Sequence, residues 1–220
     1  MAPRIALIHA LLMSFGPVAE AFKKLWPEAQ TMNLLDDSLS VDRARSVALT
    51  PQLSARIEAL ADYALACGAQ GILYTCSAFG PAIEAIARAK AVPVLKPNEA
   101  MFDQALKEAR RIGMLATFQP SVASMEAEFR AQAGSSAATI KTICVPEAME
   151  ALKRGDLSGH NALLAKAAQA PEAGGFDVLM LAQFSMAPAR EAVQSVVRCP
   201  VLTSPDSAVL RLKRLLAPGT

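Results

Sequence analysis

The feature that most constrains this chain is internal repetition. Arg4-Ile5-Ala6-Leu7-Ile8-His9 returns as Arg111-Ile112-Gly113-Met114-Leu115-Ala116, an offset of 107, and Ala19-Glu20-Ala21-Phe22 returns at the same offset as Glu126-Ala127-Glu128-Phe129. Gly71-Ile72-Leu73-Tyr74 is echoed by the apolar run from Asp177 to Ala182. The clearest echo pairs Val92-Pro93-Val94-Leu95-Lys96-Pro97 with Cys199-Pro200-Val201-Leu202-Thr203-Ser204-Pro205. One such match between apolar segments means little. Four in the same order, at offsets of 107 to 109, imply a duplicated unit with halves at 1–105 and 106–220, the last helix free to pack back on the first half.

Within the first half, short apolar runs at Ile5–His9, Thr31–Leu35, Gly71–Thr75 and Val92–Leu95 read as strands. Helical spacing fills the stretches near 16–26, 51–67, 80–90 and 98–110. Thr50-Pro51 marks a helix start, with Thr as N-cap and Pro at the first helical position. Strands apolar on both faces and separated by helices predict an α/β fold with parallel sheets. Ala131 to Thr139 reads as a surface loop.

Composition narrows the class. Apolar residues make up 53% of the 220, charged residues 19%, and the net charge is +2. That balance excludes a disordered chain, and no basic tract offers the electrostatic footprint of a nucleic-acid partner. The apolar run Ile5–Phe15 follows a single Arg4 and is interrupted by His9, so it predicts a buried strand and not a targeting signal or membrane span. The four cysteines form no C-x-x-C pair, which fits a reduced, cytoplasmic setting. No G-x-G-x-x-G, Walker loop or histidine–carboxylate metal spacing occurs, so neither a nucleotide cofactor nor a metal is expected.

In open α/β sheets ligands bind beyond the carboxyl ends of the strands, so duplicated strand ends are expected to face a shared cleft. The first half offers Thr75-Cys76-Ser77-Ala78, the second Ala182-Gln183-Phe184-Ser185-Met186. Aligning the two strands sets Cys76 opposite Ser185, an offset of 109. A cysteine leaving a strand into a helix start is expected to have a lowered pKa and to serve as base or nucleophile. The N–H groups of Ser77 and Ala78 suit a carboxylate or an enolate. His9, closing the first strand, is a candidate second acid–base group or else a core histidine. His160 reads as an exposed helix-start residue, Asp36-Asp37 as a solvated turn, and Cys67, Cys144 and Cys199 as core filler.

Thr75-Cys76-Ser77 after a buried strand, its counterpart around Ser185, and Ile112-Gly113-Met114-Leu115-Ala116-Thr117 resemble the aspartate/glutamate/hydantoin racemase superfamily, which also holds maleate isomerases and arylmalonate decarboxylases. The resemblance implies two flavodoxin-like halves, no cofactor, a small-molecule carboxylate substrate and a homodimer. In racemases of this group two cysteines act on opposite faces of the substrate carbon. Carried over, Cys76 is the first and Ser185 stands where the second belongs. Thr75, Ser77, Ala78 and Thr117 hold the carboxylate, and Ser14 and Met186 line the site. A serine hydroxyl is a weak acid that needs a neighbouring base. Three reactions therefore stay open: racemisation with His9 on the second face, protonation of a decarboxylated carbanion by Cys76, and addition of Cys76 to an unsaturated diacid. A non-catalytic small-acid-binding protein is the competing class.

Overall fold

The computed structural model describes residues 2–46, 48–170 and 175–217. They divide into two compact units, 2–100 with 208–217 and 101–207. The first unit holds a parallel sheet in the order β2-β1-β3-β4, with β1 Arg4–His9, β2 Gln30–Leu35, β3 Gly71–Tyr74 and β4 Val94–Leu95. Its helices are α1 Phe15–Leu25, α2 Ser38–Ala44, α3 Pro51–Ala66 and α4 Gly80–Ala89. α5 Glu99–Glu108 leads into the second unit, whose sheet runs β6-β5-β7-β8. There β5 is Arg111–Ala116, β6 Thr139–Cys144, β7 Val178–Leu181 and β8 Val201–Thr203. α6 Gln119–Ala133, α7 Pro146–Lys153, α8 Leu157–Ala168, α9 Arg190–Gln194 and α10 Ser204–Leu216 complete the chain. Among the described residues no helix is long and apolar enough to cross a membrane.

The expected α/β architecture is present, and the repeat extends to register. Ile8 pairs with Tyr74 as Leu115 pairs with Leu181, and Leu73 pairs with Leu95 as Met180 pairs with Leu202, every residue displaced by 107. In the central strands β1, β3, β5 and β7 side chains alternate between two buried faces, which explains why these strands read as continuous apolar runs. In the second unit Ile112, Met114 and Ala116 pack with Phe102, Met125 and Phe129 on one face. Leu115, Leu179 and Leu181 pack with Leu164 and Val193 on the other. In the first unit Ala6, Ile8, Ile72 and Tyr74 meet Leu53, Ile57 and Ala61 of α3.

The α3 start forms as its sequence dictates: the Thr50 side chain accepts from the Leu53 N–H and Pro51 occupies the first turn. Two local expectations fail. α6 continues through Ala133, so only 134–138 remain outside regular structure before β6. His160 is fully buried, with Nδ1 2.9 Å from the Ala148 carbonyl, because it faces α7 through that helix's small residues Ala148 and Ala151.

Close packing leaves no room for a side chain at Gly113 in β5, where an added Cβ would run into the Phe176 ring and approach Leu179 Cδ1 to 2.8 Å. Gly113→Ala is expected to cost about 1–3 kcal/mol by overpacking, read as a lowered urea midpoint at unchanged slope. An unchanged midpoint would contradict the packing described.

Candidate functional site

In the first unit β1 and β3 end side by side, and the Thr75 N–H still donates to the Ile8 carbonyl at 3.0 Å. Cys76 follows in extended conformation and caps a 3-10 turn, Ser77–Phe79. Tyr74 anchors this corner from behind, its buried hydroxyl donating to the Ile57 carbonyl of α3 at 2.8 Å. The turn thus leaves a rigid strand end, the location at which open parallel sheets hold ligands.

His9, Ser14 and Thr75 come together beneath the turn. His9 is completely buried and lies against the Phe15 ring, 4.0 Å centroid to centroid and tilted by 40°. Its Nε2 lies 3.0 Å from Asn33 Oδ1, an acceptor, so Nε2 carries the proton and Nδ1 presents a lone pair. Ser14 Oγ at 2.7 Å and Thr75 Oγ1 at 3.0 Å both face that lone pair. The Leu11 carbonyl, 2.8 Å from Ser14 Oγ, is a further acceptor. Burial lowers the His9 pKa to about 4, only partly opposed by the Asn33 contact, so the ring is neutral at physiological pH. Both ring nitrogens are engaged within the protein, which suits His9 to fixing the two hydroxyls.

Cys76 departs from expectation in one respect. Its thiol pKa is raised, because burial outweighs the Ala78 N–H directed at the sulfur and the positive charge of Arg43. The residue is only half-buried by exposed surface but packs against the first unit's core, and that dense surround excludes the water a thiolate needs. At neutral pH Cys76 is therefore a thiol, a proton donor at rest. Arg43 was not singled out in the sequence. It sits on α2, donates through Nε to the Ala78 carbonyl at 3.1 Å and through Nη1 to the Ser46 carbonyl at 2.7 Å. α2 is tied to α3 by Arg56, which donates to both Asp36 and Asp42. Asp36 is held below the usual carboxylate range: burial opposes this, but the Ser38 and Arg56 hydrogen bonds prevail. Asp36 is thus a structural anchor where a solvated turn was expected.

In the second unit the Ala182 N–H donates to the Leu115 carbonyl at 3.0 Å, the rung equivalent to Thr75 on Ile8. One residue on, Gln183 is extended and caps the 3-10 segment Phe184–Ala189, as Cys76 caps its own turn. By strand register the counterpart of Cys76 is therefore Gln183, not Ser185, which lies two residues further inside the turn. Thr117 is buried and donates to Gln183 Oε1 from its backbone N–H at 3.1 Å and its hydroxyl at 3.4 Å. Gln183 Nε2 reaches Ser121 Oγ at 3.4 Å. Ser77 and Ser185 are half-buried and Ala78 is exposed. Met186, expected beside a ligand, is fully buried in the second unit's core with Leu115 and Leu181. Its place in a turn that folds back over the sheet directs it inward. Among the described residues no cluster of three His, Cys, Asp or Glu side chains could hold a metal ion.

The neutral His9 makes stability depend on pH. The unfolded chain binds a proton near pH 6.5 and the folded chain only near 4, so stability is fully present above 6.5 and falls as pH drops toward 4. The loss amounts to roughly 2–3 kcal/mol. Urea unfolding at pH 7 and pH 4.5 is expected to register that loss, and His9→Gln to reduce the difference between the two pH values. An equal drop in the variant would contradict the buried, neutral imidazole.

Comparison with known proteins places these observations. The model of the Asp/Glu/Hydantoin racemase family matches residues 17–138, more than half of the chain. Curated protein sequences give no match. Among solved structures, an aspartate racemase homologue from Pyrococcus horikoshii OT3 superposes with a TM-score of 0.75 at 14% identity, covering 98% of this chain and 99% of that one. Glutamate racemase from Bacillus anthracis gives 0.73 at 13% identity, over 97% and 81% of the two chains. A liganded mutant of arylmalonate decarboxylase gives 0.63 at 18% identity, over 100% and 94%. At these identities the superpositions speak for the fold alone, and it is the family match, resting on the sequence itself, by which the chain belongs to the Asp/Glu/Hydantoin racemase family.

Proposed function

We propose that this protein is a cofactor-independent enzyme that moves a proton at a carbon bearing a carboxylate, with Cys76 as the group that carries it. The observation on which this rests is the placing of Cys76: first residue beyond the last β1–β3 rung, its sulfur met by the Ala78 N–H and the charge of Arg43. A carboxylate bound next to the Ser77 turn would meet donors from the turn and the field of Arg43, both of which favour the negative charge of an enolate more as it develops. Ser14 and Thr75, held by His9, shape the floor of that turn. Family membership supports racemase-like or isomerase chemistry. The likeness in fold to arylmalonate decarboxylase supports a second reading, a lyase for a malonate-type acid, which needs one proton donor only. A thiol protonated at rest suits that second reading, whereas abstraction first requires its ionisation, whose cost the Ala78 N–H and Arg43 reduce. The substrate is a small carboxylic acid and the working form a homodimer.

The test uses the intact chain with a set of small diacids and acidic amino acids in deuterated water, followed by NMR. Cys76→Ala is expected to lose roughly a hundredfold or more of the α-hydrogen exchange or decarboxylation rate, the usual contribution of a positioned acid–base group. Binding of these acids without any Cys76-dependent turnover would overturn the enzymatic reading and leave a small-acid-binding protein.

A further inference from the structure

Beneath the Cys76 turn two hydroxyls compete for one imidazole nitrogen, and counting protons decides between them. Because His9 Nε2 donates to Asn33 Oδ1, Nδ1 can only accept. It has a single lone pair, and Ser14 Oγ at 2.7 Å and Thr75 Oγ1 at 3.0 Å both face it. An oxygen 2.7 Å from Nδ1 with no proton between them would set lone pair against lone pair. The shorter contact therefore carries a proton, and that proton is the one on Ser14 Oγ. The Leu11 carbonyl competes for it at 2.8 Å and loses, taking the Ser14 backbone N–H at 3.4 Å instead.

Thr75 is left with a proton and no claim on Nδ1. Its hydroxyl lies 3.0 Å from Ser14 Oγ, and 3.4 Å from the Ile8 carbonyl, which already takes the Thr75 N–H at 3.0 Å. Exposure separates the two hydroxyl residues in the same sense. Ser14 is buried, while Thr75, the residue before Cys76, keeps exposed surface.

We propose that Ser14, with its Oγ–H committed to His9 Nδ1, is a positioning residue that keeps the Thr75 proton free for an oxygen of the bound acid, and that Asn33 holds the ring in the form this requires. The inference rests on the function proposed above, which puts the carboxylate at this turn. Ser14 acts without touching the acid. Removing its hydroxyl vacates Nδ1, and the Thr75 proton, on an oxygen 3.0 Å away, turns inward to fill it. The loss of a buried hydroxyl then costs the donor on its neighbour.

The first measurement needs no substrate. The chain has two histidines, so a nitrogen-15 NMR spectrum of the imidazoles holds two rings. His9 is expected with Nε2 protonated and Nδ1 bare, and His160, whose Nδ1 faces the Ala148 carbonyl, with the opposite assignment. Asn33→Asp, at an exposed position, keeps an acceptor at Nε2 and is expected to leave His9 in that form. The His9 Nδ1 signal is expected to stay hydrogen-bonded in Ser14→Ala and in Thr75→Val, and to move to the position of an unbonded lone pair only when both changes are combined. A protonated Nδ1 on His9, or an unbonded Nδ1 in Ser14→Ala alone, would overturn the assignment.

The second measurement titrates the same variants of the full chain with malonate, phenylmalonate and aspartate, and follows turnover where it occurs. Thr75→Val is expected to raise Kd and KM roughly tenfold or more with little change in kcat. Ser14→Ala is expected to do the same, and the double variant to go no further, because both changes remove one donor. Effects that multiply in the double variant would show Ser14 meeting the acid directly, and an unchanged affinity in Ser14→Ala would show that its proton does not govern Thr75. Either result sinks the proposal and leaves the role of Cys76 standing. Binding without Cys76-dependent turnover strikes the function proposed above, and the same affinities still decide the role of Ser14. If none of the three acids binds, both fall.

Discussion

Two backbone hydrogen bonds organise the strand ends of this protein: Thr75 N–H to the Ile8 carbonyl and Ala182 N–H to the Leu115 carbonyl. Each is the last rung between the two central strands of its sheet, and beyond it the chain has no strand partner and turns. Because a parallel register fixes which residue follows the last rung, it also fixes which side chain emerges at the strand end. Cys76 and Gln183 owe their positions to that rule. A shift by one residue would turn Cys76 to the opposite side and put Ser77 in its place.

Burial sets the chemistry of those positions. It keeps His9 neutral, so the imidazole can accept from a hydroxyl while donating to Asn33, and it keeps Cys76 protonated despite a nearby N–H and the Arg43 charge. The two effects share one cause, the cost of charge in a poorly solvated place, and have opposite consequences. The histidine loses its use as an acid at neutral pH. The cysteine keeps a proton to give.

Much of the fold was legible because its signals are local or periodic. The apolar runs, the Thr50-Pro51 start and the 107-residue echo need only neighbouring residues to be read, and the sheets formed on them. The site was legible in part. Cys76 stood out as a thiol in a polar turn after an apolar strand. Gln183 was in view within the same motif, but aligning the strands from sequence put Ser185 opposite Cys76, and only strand register separates an offset of 107 from one of 109. Asn33 left a faint signal, an amide set between Met32 and Leu34 in β2. Arg43 and Ser121 left none, since each acts through a hydrogen bond that tertiary packing creates.

The amino-acid order by itself determined the duplicated α/β plan and the kind of residue at each strand end, because hydrophobic period and turn chemistry are properties of short segments. Only the folded chain decided the protonation of Cys76, the burial of His9, His160 and Met186, and the pairing of Thr117 with Gln183. Those depend on which distant segments exclude water from a group or bring it a partner, and solvation is a property of the surroundings that no local stretch of sequence contains.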